Sequence, residues 1–263
     1  MSRHASMFQV DAFTDRRFSG NPAAVVVLER FPDEPLMQAI ANENNLAETA
    51  FLVKEGNEYR IRWFTPVVEV PLCGHATLAS AAVVLERLEP GRSQLVFHSA
   101  SGPLPVHKTA SGYSLNFPAR PSAAIEAPRT LLDAIPAPVR EVRINAFNYL
   151  AILETADQVR QLKPDMAALK KLDRPGVIVS APGDRSYDFV SRYFAPLKGI
   201  PEDPVTGAAH CMLAPYWAER LGKTAFRAFQ ASARGGEVLC RLLGDRVELT
   251  GLCVFYMEGT IQF

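Results

Sequence analysis

Apolar and polar positions alternate with period two over most of this chain, and only a few segments switch to a helical period. "MFQVDAF" (7–13) reads as a strand, and the turn "SGNP" leads into a second, "AAVVVL" (23–28). Asp33-Glu34-Pro35 predicts a helix start, with Asp33 as N-cap, Pro35 in the first turn and Leu36, Met37, Ile40 and Ala41 on the buried stripe. "TAFLVKEGNEYRIRWF" (49–64) reads as a hairpin around Glu55-Gly56-Asn57. The order then recurs. "EVRINAF" and "NYLAILE" (141–154) read as strands. Residues 155–172 predict an amphipathic helix with Val159, Leu162, Met166, Leu169 and Leu172 on one face and a break at Pro164. "GVIVSAP" and "YDFVSRYF" are strands again. Two segments differ from all of these. Residues 75–88 and 207–221 are apolar nearly all round, the pattern of a helix buried on every side.

The recurrence extends to short motifs. Phe64-Thr65-Pro66 followed by Pro71 matches Phe194-Ala195-Pro196 followed by Pro201, an offset of 130 (194 − 64), and both stretches run into a glycine, Gly74 and Gly207, before the long apolar segment. An offset near half the chain points to internal duplication. The expected architecture is α+β, with two pseudo-symmetric domains, each a curved antiparallel strand barrel wrapped around one central apolar helix. Their limits are 1–120 and 121–263, joined through the proline-rich 117–139, and the last strand, "LCVFYMEGTIQF", is a candidate to return to the first domain. Two such halves are expected to leave a cleft with a helix N-terminus entering from each side.

Composition narrows the function. Of 263 residues, 48% are hydrophobic, enough for a proper core, and Lys+Arg and Asp+Glu both number 28, so the zero net charge favours neither nucleic acid nor an acidic membrane as partner. The N-terminus "MSRHASMFQVDAFTD" lacks the apolar core of a signal peptide, and no apolar run reaches the length of a membrane span. The four cysteines, Cys73, Cys211, Cys240 and Cys253, form no CxxC pair and are expected to be reduced thiols in the cytoplasm.

Candidate chemistry gathers at the starts of the two apolar helices. Cys73, Gly74 and His75 precede the first. Cys-x-His is no familiar zinc spacing, so no metal is expected. A thiol at a helix start either packs the turn or acts as a base with a lowered pKa. Gly74 permits close approach of a ligand to the backbone, and His75 titrates in the useful range or caps the helix. Counting by 130, Asp203 of "PEDPVTGAAH" falls opposite Cys73, either as a routine cap or as a second acid. Glu48 of "NLAETAFLV" sits among Leu46, Ala47, Ala50 and Phe51, where a carboxyl is either solvated or placed to hold a proton near neutrality. Gly176 falls near the matching place in the second half, so the acid is not duplicated.

"VDAFTDRRFSGNPAAVV", "NLAETAFL", "RWFTPVVEVPLCGHATLASA" and "EDPVTGAAH", in this order, resemble the phenazine-biosynthesis isomerase (PhzF-like) family, which shares its two-domain fold with diaminopimelate epimerase. The resemblance implies isomerisation without a cofactor, commonly in a homodimer, on a small carboxylate substrate. It implies that Glu48 moves a proton between carbons, that Gly74 and His75 match the family's Gly-His, that Asp203 matches its second acid and that Gly207 matches its second glycine. Two positions depart from the phenazine enzyme: Ala47 and Ala208 stand where it carries serines, which removes hydroxyls from the substrate site and points to a different substrate. Related epimerases place one cysteine at each helix start, where this chain has only Cys73. The reading is therefore a proton-moving isomerase with Glu48, His75 and Asp203 as catalytic residues and Cys73, Gly74, Gly207 and Ala208 against the substrate. Its alternatives are a two-base amino-acid racemase or epimerase and a non-catalytic metabolite-binding protein.

Overall fold

A computed structural model describes residues 3–184 and 186–263. The chain forms two compact units, residues 1–116 with 250–263, and residues 117–249. The first runs β1 (His4–Ala12), β2 (Asn21–Leu28), α1 (Glu34–Asn44), β3 (Glu48–Glu55), β4 (Glu58–Phe64), β5 (Glu69–Val70), α2 (Gly74–Val83), β6 (Gln94–Ser99), β7 (Gly102–Thr109) and β8 (Gly112–Pro118). The second runs β9 (Ala123–Ile125), α3 (Arg129–Ala134), β10 (Glu141–Ile144), β11 (Asn148–Ile152), α4 (Ala156–Gln161), α5 (Met166–Leu169), β12 (Gly176–Pro182), β13 (Phe189–Ala195), β14 (Ile200–Asp203), α6 (Gly207–Leu221), β15 (Ala225–Gln230), β16 (Gly236–Leu243) and β17 (Arg246–Gly251). The closing strand, β18 (Cys253–Gln262), pairs antiparallel with β1 in the first unit.

The duplication is plain in the strand pairing. In the first unit β1–β2 is antiparallel, β2–β3 parallel, β3–β4 antiparallel, β4–β6 parallel and β6–β7 antiparallel. In the second, β10–β11, β11–β12, β12–β13, β13–β15 and β15–β16 repeat that sequence of directions. The sheets are thus mixed, where alternation alone suggested antiparallel ones. A parallel pair needs a crossover of about a dozen residues, and the helices supply it. α1 carries the chain from β2 to β3, and α2 from β4 to β6. In the second unit α4 and α5 carry it from β11 to β12, and α6 from β13 to β15.

α2 is buried on every face from His75 to Val83, as its composition predicts, and packs on β1, β2, β3 and β18. Ala76, Ala79, Ala81 and Ala82 let the strands approach closely, and the helix ends in a wider turn, Val84–Leu88, closed by Glu89 N–H on the Val84 carbonyl. The other face of this sheet is covered by α1, whose Met37, Ile40 and Ala41 meet Val26, Phe51 and Phe64. Asp33 holds the N-cap position of α1, but its side chain makes no capping hydrogen bond. In the second unit Trp217 of α6 stacks on Phe189 at 5.7 Å and donates to Ser180 Oγ. The expected helix 155–172 is α4 and α5, separated around Pro164. The proline-rich 117–139 is not a linker. It contains β9 and α3, and Leu131, Ala134 and Ile135 are buried in the second unit's core with Val142, Val159 and Leu169. Prolines at 121, 128, 136 and 138 bound these short elements rather than loosening the chain.

Candidate active site

Glu48 is the first residue of β3, and its place there follows from register. Ala23 of β2 pairs with Glu48, and Val26 with Phe51. Side chains alternate across a strand, so with Phe51 against α1, Glu48 faces α2. Its side chain is 14% exposed, and Oε2 lies 3.2 Å from Nε2 of His75, the second residue of α2. The contact is close but off the line of a directed hydrogen bond. Nδ1 of His75 lies 3.2 Å from Asn21 Nδ2, at the start of β2, and 3.5 Å from Cys73 Sγ. Asn21 and His75 are both buried. Burial lowers the imidazole pKa to about 3, partly offset by a hydrogen bond to the Pro22 carbonyl. A carboxylate at 3.2 Å favours the charged ring, but desolvation dominates and the ring is neutral at pH 7.

Cys73 is the N-cap of α2 and uses its backbone, not its thiol: its carbonyl accepts from the Thr77 N–H at 3.1 Å and from Thr77 Oγ1 at 2.5 Å. The N–H groups of Gly74, His75 and Ala76 have no intrahelical acceptor and lie at the positive end of the helix dipole. Ligating atoms of Glu48, Cys73 and His75 fall within 4.8 Å of one another. However, the thiol addresses Nδ1 and the carboxylate addresses Nε2, on opposite edges of the ring. That suits an imidazole held from both sides better than three ligands converging on one cation.

The second unit places Asp203 at the end of β14 and Gly207 at the start of α6. The helix starts Gly74 and Gly207 are 133 residues apart (207 − 74), three more than the motif offset, so Asp203 is not the counterpart of Cys73. That place belongs to Thr206, the N-cap of α6. Asp203 Oδ2 accepts from Thr206 Oγ1 at 2.5 Å. Gln230, fully buried, fixes the turn. Its Oε1 accepts the Thr206 N–H at 2.9 Å, and its Nε2 donates to the Asp203 carbonyl at 2.7 Å and to Thr206 Oγ1 at 3.1 Å. Gly207 is buried, while Ala208, in the place His75 takes in α2, is exposed. His210 is buried, with Nδ1 2.8 Å from the Thr206 carbonyl, and burial lowers its pKa to about 4.

The acid is built once for a steric reason. Gly176 opens β12 beside Asn148 of β11, as Glu48 opens β3 beside β2. A Cβ on Gly176 would lie 2.0 Å from Asn148 Oδ1 and 2.4 Å from the Tyr193 hydroxyl, so any side chain there would have to displace both. The other thiols are also accounted for. Burial pushes Cys211 up to about 12 and raises Cys240 and Cys253 well above the usual thiol range. None of these three is a base at neutral pH. Asn21 and Gln230 were not singled out by sequence. Asn21 lies in "SGNP", which reads only as a turn, and nothing around Gln230 marks it.

Two duplicated mixed sheets, each with a buried helix whose start carries the polar residues, define the diaminopimelate epimerase-like fold. A hydroxyproline epimerase from Agrobacterium vitis shares it at 13% identity and TM-score 0.62, covering 99% of this chain and 93% of that one. Residues 10–259 match the family model described as phenazine biosynthesis-like protein, and the chain belongs to that family. An uncharacterized isomerase from Pseudomonas aeruginosa is 50% identical over 254 residues, 97% of each chain. A PhzF-family crystal structure from Enterococcus faecalis matches at 44% identity and TM-score 0.95, covering 98% of this chain and 99% of that one. No described helix is long and apolar enough to cross a membrane.

Proposed function

We propose that the protein is a cofactor-independent isomerase that moves a proton along a small carboxylic acid, with Glu48 as general acid/base. The observation that carries this reading is the Glu48–His75 contact at 3.2 Å, between a largely buried carboxyl and a neutral imidazole. Glu48 takes a proton from a carbon conjugated to the substrate carboxylate, leaving the electron pair delocalised over the conjugated system. It then returns the proton to a second carbon, so the double bond shifts and the atoms balance. Nε2 of His75 flanks the Glu48 carboxyl at 3.2 Å, and the first N–H groups of α2 stabilise the charge that builds on the substrate. In the second unit Asp203, held by Thr206 and Gln230, is the candidate second acid, beside Gly207 and Ala208 at the start of α6.

A second reading has one observation in its favour. Cys73 Sγ lies 3.5 Å from His75 Nδ1, an arrangement in which the thiol acts as a base of a racemase or epimerase. Proton exchange on candidate acids in heavy water separates the two. General acid–base groups contribute roughly 10²–10⁴-fold, so Glu48→Gln should lose about that much exchange with little change in ligand affinity. Cys73→Ser should lose less than about tenfold. The reverse order, with Cys73→Ser nearly inactive and Glu48→Gln active, refutes the isomerase assignment and promotes the thiol. A shifted double bond in the product marks isomerisation, and inversion at carbon marks epimerisation. No exchange on any acid that binds leaves a metabolite-binding protein.

A further inference from the structure

The contact on the far side of His75 from Glu48 has chemical consequences of its own. A neutral imidazole carries one proton, on Nδ1 or on Nε2, and the partner of one nitrogen decides the state of the other. Here Nδ1 faces the amide nitrogen of Asn21 at 3.2 Å. In this amide orientation the nitrogen donates and cannot accept, which calls for a lone pair on Nδ1 and a proton on Nε2, toward Glu48. Both residues are buried, so water does not compete for either nitrogen. We propose that Asn21 is a positioning residue that fixes His75 as the Nε2–H tautomer, so that the ring's proton lies on the side of Glu48, whose Oε2 is 3.2 Å from Nε2. The proposal rests on the reading of Glu48 and His75 as the proton-transfer pair.

The local fold is built to deliver this amide. Gly20, at φ +65°, precedes Asn21, and a Cβ there would lie 2.2 Å from the Ala12 carbonyl oxygen, so only glycine closes this turn between β1 and β2. Phe18 is held at φ +66° in the same turn, with its N–H on the buried Asp11 carboxylate at 2.9 Å. A non-glycine residue in that region costs of order 1–3 kcal/mol and persists only where its surroundings enforce it. The register then sets Asn21 two residues before Ala23, the partner of Glu48, on the same face of the sheet. The Pro22 carbonyl also hydrogen-bonds the imidazole and, as an acceptor, favours a proton on the nitrogen it faces.

The consequence for chemistry is directional. A donor at Nε2 stabilises Glu48 as the carboxylate, ready to remove a proton from carbon. An Nδ1–H ring would present a lone pair and favour the protonated acid instead. Loss of the correct tautomer in a catalytic histidine has been worth up to about 10⁴-fold in the serine-protease triad. A smaller loss is expected here, because His75 supports the base and is not itself the base.

The test uses the full chain with ¹⁵N-labelled histidine, with His75 assigned by its loss in His75→Gln. Wild type at pH 7 should show Nε2 protonated and Nδ1 bare. Asn21→Leu keeps the volume and removes the donor. It should populate the Nδ1–H form and lower kcat for proton exchange at least about tenfold, with KM within about threefold. A wild-type ring protonated on Nδ1, or an Asn21→Leu variant that keeps the wild-type tautomer and kcat, overturns the proposal. If Asn21→Leu does not fold, the wild-type tautomer decides alone. Failure of the functional reading is distinguishable, since it leaves Glu48→Gln active whatever tautomer His75 shows.

Discussion

Two buried neutral histidines make the protein acid-labile in a window that ordinary carboxylates do not reach. His75 and His210 have folded-state pKa values lowered by burial to about 3 and about 4, against 6.5 for the free side chain. Below pH 6.5 the unfolded chain takes up protons at both rings and the folded chain does not, so stability falls with pH until each folded pKa is reached. Each ring contributes a slope approaching about 1.4 kcal/mol per pH unit. From pH 6.5 to 4.5 that amounts to roughly 2 kcal/mol per histidine, and roughly 4–5 for both, within the whole stability of an ordinary domain. Carboxylates act lower. Glu89, hydrogen-bonded to Lys54, has its pKa lowered from 4.5 to about 2, so its contribution is complete above pH 4.5 and is lost only as pH falls toward 2. Urea unfolding of the full chain between pH 8 and 4.5 should therefore show a falling midpoint. His210→Gln keeps a donor for the Thr206 carbonyl but does not titrate, and should remove about half of the pH dependence. A midpoint that is flat from pH 7 to 5, or a His210→Gln variant with the wild-type slope, refutes the assignment of buried neutral rings.

Three further outcomes follow from the same geometry. Gly176→Ala should destabilise the second unit by about 1–3 kcal/mol, the usual cost of overpacking, read as a lower urea midpoint without loss of proton exchange per folded molecule. Gln230→Leu removes the acceptor of the buried Thr206 N–H and two donated bonds; at about 1 kcal/mol per bond plus the orphaned donor, about 3–5 kcal/mol should be lost in the same assay. Asp203→Asn keeps the size of the side chain and removes its charge, so its effect should fall on exchange kinetics more than on melting temperature, and a fall in melting temperature alone would reduce Asp203 to a turn residue.

How much of this was legible in sequence differs between the core and the site. The two helices buried on all sides were visible because an all-round apolar segment has few other places in a soluble domain. The repeat was visible because proline and glycine punctuate both halves alike. Strand direction was not visible, since alternation reports which face is buried and says nothing about whether the neighbour runs parallel. The proline-rich 117–139 misled because its prolines bound short elements, while Leu131 and Ile135, too few to show a period, carry the burial. For the site, the motifs put the acid, the histidine and the cysteine on the page but did not relate them. Register and helix packing bring Glu48 to His75 across 27 residues (75 − 48), and the turn fixed by Gly20 brings Asn21 to the other edge of the ring across 54. Fixed-offset counting failed at Asp203 for a related reason. The second unit carries three extra residues between Phe194 and Gly207, and Gln230 pins that longer turn from a strand the offset never consults. The duplicated halves thus keep the helix start and vary what is hung on it. In one, a glutamate, an imidazole and an amide meet in a buried row. In the other, a glycine whose Cβ position is already filled excludes the acid. That asymmetry is why the catalytic assignment falls on Glu48 and why no counterpart of it is expected at residue 176.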